Sequence, residues 1–318
     1  MGKQAESLGS GKVRLTYHNV PSSRQQASQI MVCTIDRPER RNAVDGETAA
    51  ALYEAFVRFG NDPSLSVAIL TGAGGNFCAG ADLKAIFDGF TANQASSSTS
   101  AGSTRPSGSN LLDTDMDAPG PMGVTRLVMN KPVIAAISGY AVAGGIELAA
   151  WCDLRVACAE TAKLGVLCRL RGVPLIDGGT VRLPALVGLS RASDLILTGR
   201  LVDAKEAQSM GLINYSVHGG PDKVLQRAIE AATLLTQHPR TCMLNDRASM
   251  LSATLGLEQG DSNTVKTLSD PREPDFRLKG AMRQAMQEEF RLGLDSLAQL
   301  QTQGAVGDFV NKVHKSRL

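Results

Sequence analysis

Apolar positions along this chain follow two periods. Short β-branched runs at residues 13–17, 30–35, 67–71, 133–137 and 154–157 have the length and the polar bounds of buried strands. The first two are separated by a polar loop at 21–29, which predicts an antiparallel start. Residues 48–59 place Leu52, Ala55, Phe56 and Phe59 at helical spacing, so an amphipathic helix packs back onto the strands. Strand, helix and strand then form a unit with right-handed crossover, and the predicted fold class is α/β. Helical spacing returns at 180–186, 191–198 and 204–209. Beyond Pro221 only helices are predicted, at 222–235, 240–255, 276–292 and around 305–313.

Composition divides the chain. Residues 1–11 are small and polar and are expected to be disordered. The α/β core is expected over 12–220, interrupted at about 87–122 by a stretch rich in Ser, Gly and Asp that is too poor in apolar residues to offset its ordering entropy. That stretch reads as a flexible surface insertion. Residues 221–318 form the C-terminal helical region.

Charge and cysteine usage narrow the partners. A net charge of +2 over 318 residues offers no electrostatic argument for nucleic acid or a membrane surface. The six cysteines contain no CxxC pair, which fits a reducing compartment, and the four histidines lack zinc-ligand spacing, so no metal site is expected. No apolar run approaches the ~20 residues that span a bilayer. The N-terminus lacks the apolar centre of a secretory signal, and Glu6 stands where a myristoylation pattern needs Ser or Thr.

Candidate chemistry concentrates in two glycine turns. In residues 131–156 an apolar run ends at Ser138-Gly139, and Gly144-Gly145 opens a helical segment that contains Glu147. The first turn of a helix leaves backbone N–H groups without partners, and glycine lets a substrate approach them. Glu147 lies one turn beyond Gly144, so its carboxylate can share a side with those amides. An amide that polarises a carbonyl beside a carboxylate base is an arrangement for acid/base chemistry next to that carbonyl. Residues 69–84 repeat the theme, with a strand, a glycine-rich turn and a polar helix start at Ala81-Asp82.

The two segments together resemble the signatures of the crotonase, or enoyl-CoA hydratase/isomerase, superfamily, over about residues 30–215. The resemblance implies a crotonase-like ββα spiral core with a C-terminal helical region that closes the acyl pocket and builds a homotrimer or homohexamer. It implies an acyl-CoA thioester as substrate, with CoA part of the substrate and no further cofactor. The oxyanion-hole amides fall on Ala81 and Gly144, the substrate contacts on Ala81, Asp82, Leu83, Lys84 and Gly144, and the first catalytic glutamate on Glu147. The family's Phe-Gly-x-Pro-Glu sequence is matched by Leu164-Gly165-Val166-Leu167-Cys168, so Cys168 replaces the second glutamate. Asp177, in Asp177-Gly178-Gly179-Thr180, stands in or beside a place where some members carry a working carboxylate. Arg37, Arg40 and Arg41 are equally candidates for the CoA phosphates and for a solvated turn. Ser316-Arg317-Leu318 resembles the Ser-Lys-Leu peroxisomal address, so a peroxisomal location and its import receptor as partner are expected, with mitochondria or cytoplasm as alternatives.

Rival readings of the glycine turns are weaker. Gly72-Ala-Gly-Gly-Asn-Phe77 lacks the last glycine of a dinucleotide fingerprint, and Gly145-Ile146 stands where a P-loop needs Lys and Ser or Thr. No G-x-S-x-G elbow is present. Hydration with Glu147 as general base leads, with an isomerase or a decarboxylase of the same fold as alternatives. A non-catalytic scaffold of that fold, with Glu147 as a helix cap or salt-bridge partner, is the reading from another class.

Overall fold

The computed structural model describes residues 5–20, 28–85, 110, 112–256 and 276–302. Its strands are β1 (Glu6–Leu8), β2 (Val13–Val20), β3 (Ser28–Ile35), β4 (Leu65–Gly72), β5 (Val133–Ile137), β6 (Tyr140–Val142), β7 (Leu154–Cys158), β8 (Lys163–Gly165), β9 (Leu201–Asp203) and β10 (Tyr215–Val217). A seven-stranded sheet has the order β1-β2-β3-β4-β5-β7-β10. Its first three strands pair antiparallel and the pairs from β3 to β10 are parallel. The continuous apolar runs follow from burial on both faces. Ile30, Val32, Val67, Ile69, Ile134 and Ala136 point to one core, whereas Met31, Cys33, Ala68, Leu70, Val133 and Ala135 point to the other.

Helix α1 (Gly46–Asn61) covers the second of these faces through Leu52, Ala55, Phe56 and Phe59. Asp45 caps it, its Oδ1 accepting from the Thr48 amide at 2.9 Å, and so starts the helix two residues before the periodicity does. The later helices are α2 (Gly144–Trp151), α3 (Gly179–Val187), α4 (Leu189–Thr198), α5 (Ala204–Ser209), α6 (Gly220–Gln237), α7 (Arg240–Leu255) and α8 (Gly280–Thr302).

Three expectations about the chain's organisation change. Within the first eleven residues, Glu6–Leu8 forms β1 rather than disordered chain, paired with β2 and held by Tyr17, whose hydroxyl donates to Glu6 at 2.6 Å. The end of the expected flexible insertion is packed: Leu112, Met116 and Met122 are buried, and Arg126 donates to the carbonyls of Asp113 and Asp115 at 3.0 and 2.9 Å. Helix α6 belongs with the core, since Val224, Ala228, Ala231 and Ala232 cover the sheet's other face. The Ser-rich run, the helix expected at 305–313 and Ser316-Arg317-Leu318 lie outside the described residues. Among the described residues no helix is long and apolar enough to cross a membrane.

A small sheet of β6, β8 and β9 sits at the end of β5. Sequence periodicity missed it because its strands have three residues each. It carries the chain from Ser138 to Gly144, and Cys78 bridges Ala141 in parallel, which locks the two glycine turns side by side.

Candidate active site

The first turn is oriented by one bridge. Val44 donates to Gly80 O and accepts from Asp82 N, both at 2.8 Å, as parallel pairing of Val44 with Ala81 requires. The Ala81 N–H therefore points to the opposite side. The second turn brings Gly144 to the first position of α2, where its N–H has no helical partner. Ala143, just before it, is held at φ 54°, a conformation rare for a residue with a side chain, and donates to Gly165 O at 3.0 Å. The turns meet at Gly80. A Cβ there would lie 2.9 Å from Gly144 N and 2.8 Å from Ala143 Cβ, so only glycine permits this approach. Met122 covers the pair, its Sδ 2.5 Å from where a Gly144 Cβ would stand.

Glu147 follows one turn on and is buried. Its Oε1 accepts from the amides of Asp177 and Gly179, both at 2.9 Å. Gly179 leaves room for this contact, since a Cβ there would lie 2.9 Å from that same oxygen. The other oxygen, Oε2, accepts no hydrogen bond among the described residues. Burial, and after it the charges of Asp177 and Glu289, lift Glu147 well above the usual carboxylate range.

Asp177 is also buried, and its Oδ1 accepts from the Met122 amide at 3.1 Å and from the Thr125 hydroxyl. Burial raises its proton affinity against the pull of those bonds and of Arg126 and Arg182. Arg182, inside α3, donates to the carbonyls of Asp177 at 2.9 Å and Thr125 at 2.6 Å, which ties the carboxylate turn to the Met122 segment. Cys168 lies near Glu147 in a 3-10 turn, Leu167–Arg171, and burial pushes its thiol up to about 12, so it is neutral.

One expected substrate contact and one candidate for the CoA phosphates pair with each other. Asp82 faces Arg37 at 3.5 Å, and Arg37 also pairs with Asp45 at 3.2 Å and donates to Ala43 O. Arg37 is thus buried in the frame of the turn, whereas Arg40 and Arg41 are exposed beside it. Leu83 is half-buried and Lys84 exposed. An apolar cavity of about 220 Å³ between the end of α2, α3 and α7 is a different space: Arg182 lines it, but Ala81, Gly144, Glu147 and Asp177 do not.

One site residue escaped the sequence reading. Glu289, on α8, accepts from the Gly178 amide at 2.6 Å, the Thr180 amide at 2.7 Å and the Thr180 hydroxyl at 2.8 Å. A signal existed: Glu289 follows Met282 and Met286 at helical spacing, on the face that buries Phe290 and Leu297. A carboxylate within an apolar stripe needs donors from another element.

A sheet whose parallel strands β4 and β5 each feed one of two interlocked glycine turns, with a buried glutamate one helical turn beyond the second, defines the crotonase class of enzyme. The profile of the family described as "Enoyl-CoA hydratase/isomerase" matches residues 25–105 and 122–270, and the chain belongs to that family. Mevalonyl-coenzyme A hydratase sidH of Aspergillus fumigatus is 35% identical over 66% of this chain and 70% of its own length. Enoyl-CoA hydratase EchA19 of Mycobacterium tuberculosis is 31% identical over 80% and 95%. A carnitinyl-CoA dehydratase of Salmonella arizonae is 38% identical over 65% and 71%. Among solved structures, a carnitinyl-CoA hydratase from Mycobacterium avium superposes with a TM-score of 0.68 at 26% identity, over 95% of this chain and 96% of that one.

Proposed function

We propose that this enzyme adds water to, or removes it from, an acyl-CoA thioester with a double bond next to the carbonyl, using Glu147 as general base. The observation that carries the reading is the fixed Oε1 of Glu147 beside its unbonded Oε2, one helical turn from the Gly144 amide. The amides of Ala81 and Gly144 take the charge that develops on the thioester oxygen. Glu147 takes a proton from water as the oxygen bonds to the β-carbon, and the α-carbon is then protonated. Burial raises the proton affinity of both Glu147 and Asp177, and the charge of Asp177 adds to the rise at Glu147, so two carboxyl groups that exchange protons stand side by side, as hydration requires of a base and an acid. Asp177 then stands in for the glutamate that Cys168 replaces. The names of the relatives support the reading, since each is a hydratase or dehydratase of a coenzyme A-linked substrate.

An oxyanion hole of this kind contributes several kcal/mol and acid/base work ~10²- to 10⁴-fold. The test follows loss of the conjugated thioester absorbance with crotonyl-CoA and longer enoyl-CoAs. Wild-type protein should turn over at least one of them, and Glu147→Gln should bind it yet lose ~10²-fold or more in turnover. Acyl-CoA binding without hydration of any enoyl-CoA would instead favour an isomerase, a decarboxylase or a scaffold.

A further inference from the structure

The chain entering α3 presents four successive backbone amides, and they are shared between two carboxylates. Asp177 and Gly179 donate to Glu147, whereas Gly178 and Thr180 donate to Glu289. Glu289 comes from α8, more than a hundred positions along the chain. We propose that Glu289 is a positioning residue for Glu147, acting through this strip of amides, and that the C-terminal helix is thereby a working part of the catalytic unit. The proposal rests on Glu147 being the base.

The approach of α8 is tightly set. Gly293 lies so close to the segment before the turn that a Cβ would fall 2.2 Å from Ile176 Cγ2, and Met282, Met286, Phe290 and Leu297 bury the same face of the helix. Glu289 is buried, while its neighbour Glu288 is exposed and paired with Arg291 at 2.7 Å. Burying a carboxylate is costly even when it is bonded. A cap for α3 needs only an acceptor, which a neutral amide would supply, so an ionisable carboxyl group at this place calls for a role. Arg126 and Arg182 feel the charge of Glu289 without hydrogen-bonding to it, and that same carboxylate acts on Glu147. The groups that act on Glu147 are then Asp177 before α3, Arg182 within α3, Glu289 on α8 and Cys168 in its 3-10 turn, while Arg126, beside Phe290, acts on Asp177 and Glu289.

Glu289→Gln separates the two roles, because the amide oxygen still accepts from the turn while the negative charge is lost. Without that charge Glu147 ionises more readily. The acid limb of kcat/KM should move to lower pH by on the order of one unit, and kcat on the plateau should fall several-fold as the base weakens, with KM little changed. Glu289→Asp, which keeps the charge, should leave the limb nearer its wild-type position. Thr180→Val removes one donor to Glu289, makes it easier to protonate and should shift the limb the same way by less; it carries the test if Glu289→Gln does not fold. Infrared titration of the buried carboxyl band, assigned to Glu147 through Glu147→Gln, should show the same displacement without any substrate. An unmoved band and limb in a folded, fully active Glu289→Gln protein would make Glu289 a helix cap only and overturn the proposal. Wild-type turnover in Glu147→Gln would instead overturn the base assignment, and the infrared shift would still decide the coupling.

Discussion

Asp177 gives its backbone amide to Glu147 Oε1 at 2.9 Å while its own carboxylate turns toward Met122 and Thr125. The residue thus serves Glu147 twice, as a donor that orients it and as a nearby charge that raises its proton affinity. Asp177→Asn keeps the donor and removes the charge. If the two carboxylates share base and acid, hydration should fall by ~10²-fold or more in Asp177→Asn as well as in Glu147→Gln. Loss at Asp177 alone, with Glu147→Gln active, would exclude Glu147 as the base.

The proposed oxyanion arrangement predicts an effect of Gly80→Ala out of proportion to its cost in stability. At φ 96° the alanine is strained by on the order of 1–3 kcal/mol. Its methyl also presses on Ala143 and on the Gly144 amide. Displacing one such donor should lower kcat by ~10²- to 10³-fold. Gly188→Ala is the control, with φ 81° and nothing within 4 Å of the added methyl. It should destabilise the protein similarly and leave kcat near wild type, and comparable kcat losses in both would count against the Gly80–Gly144 contact as the cause.

Stability should fall as the pH rises above the ordinary carboxylate range. Glu147, Asp177 and Glu289 all have folded proton affinities above their unfolded values of 4.5, 3.8 and 4.5, so the folded state holds more protons in the window above those values. Each contribution is complete below the unfolded value and is lost as the pH passes through the folded one. Asp45 is shifted the other way and acts at lower pH. Urea midpoints taken between about pH 5 and about pH 8 should therefore decline in the wild type and decline less in Glu289→Gln. A midpoint that rises through this window would contradict the shifts.

Cys168 tests whether a neutral side chain suffices at the second position. Cys168→Ser exchanges one neutral group for another and should hold activity within a few-fold, at a cost of about 1 kcal/mol if the hydroxyl finds no partner. Cys168→Glu should not improve the enzyme. It would bring a fourth buried carboxylate to a site where three already repel one another, and should lower the thermal midpoint. A Cys168→Glu protein that is faster and equally stable would show that the site lacks an acid.

The strands β3, β4, β5 and β7 and the glycine turns were legible because each is a local pattern: a β-branched run, then glycines, then helical spacing with Glu147. Helices α5 and α7 fall at the expected residues for the same reason, since their periodicity and stop signals lie within one segment. Glu147, Asp177, Ala81 and Gly144 come from the resemblance carried by those patterns, and the folded chain brings them to one region. β1, β6, β8 and β9 span three residues each, too few for periodicity to register, and they form because partner strands complete their hydrogen bonds. The inward turn of Arg37 toward Asp45 and Asp82 depends on carboxylates outside its own turn, that of Asp82 being 45 positions along the chain. Glu289 depends on more still. Its spacing marked it as buried, but only the docking of α8 on Ile176, through Gly293, brings it to the amides of Gly178 and Thr180. Local periodicity records which face of a segment avoids water; which donors meet a buried charge depends on contacts between segments far apart in the chain.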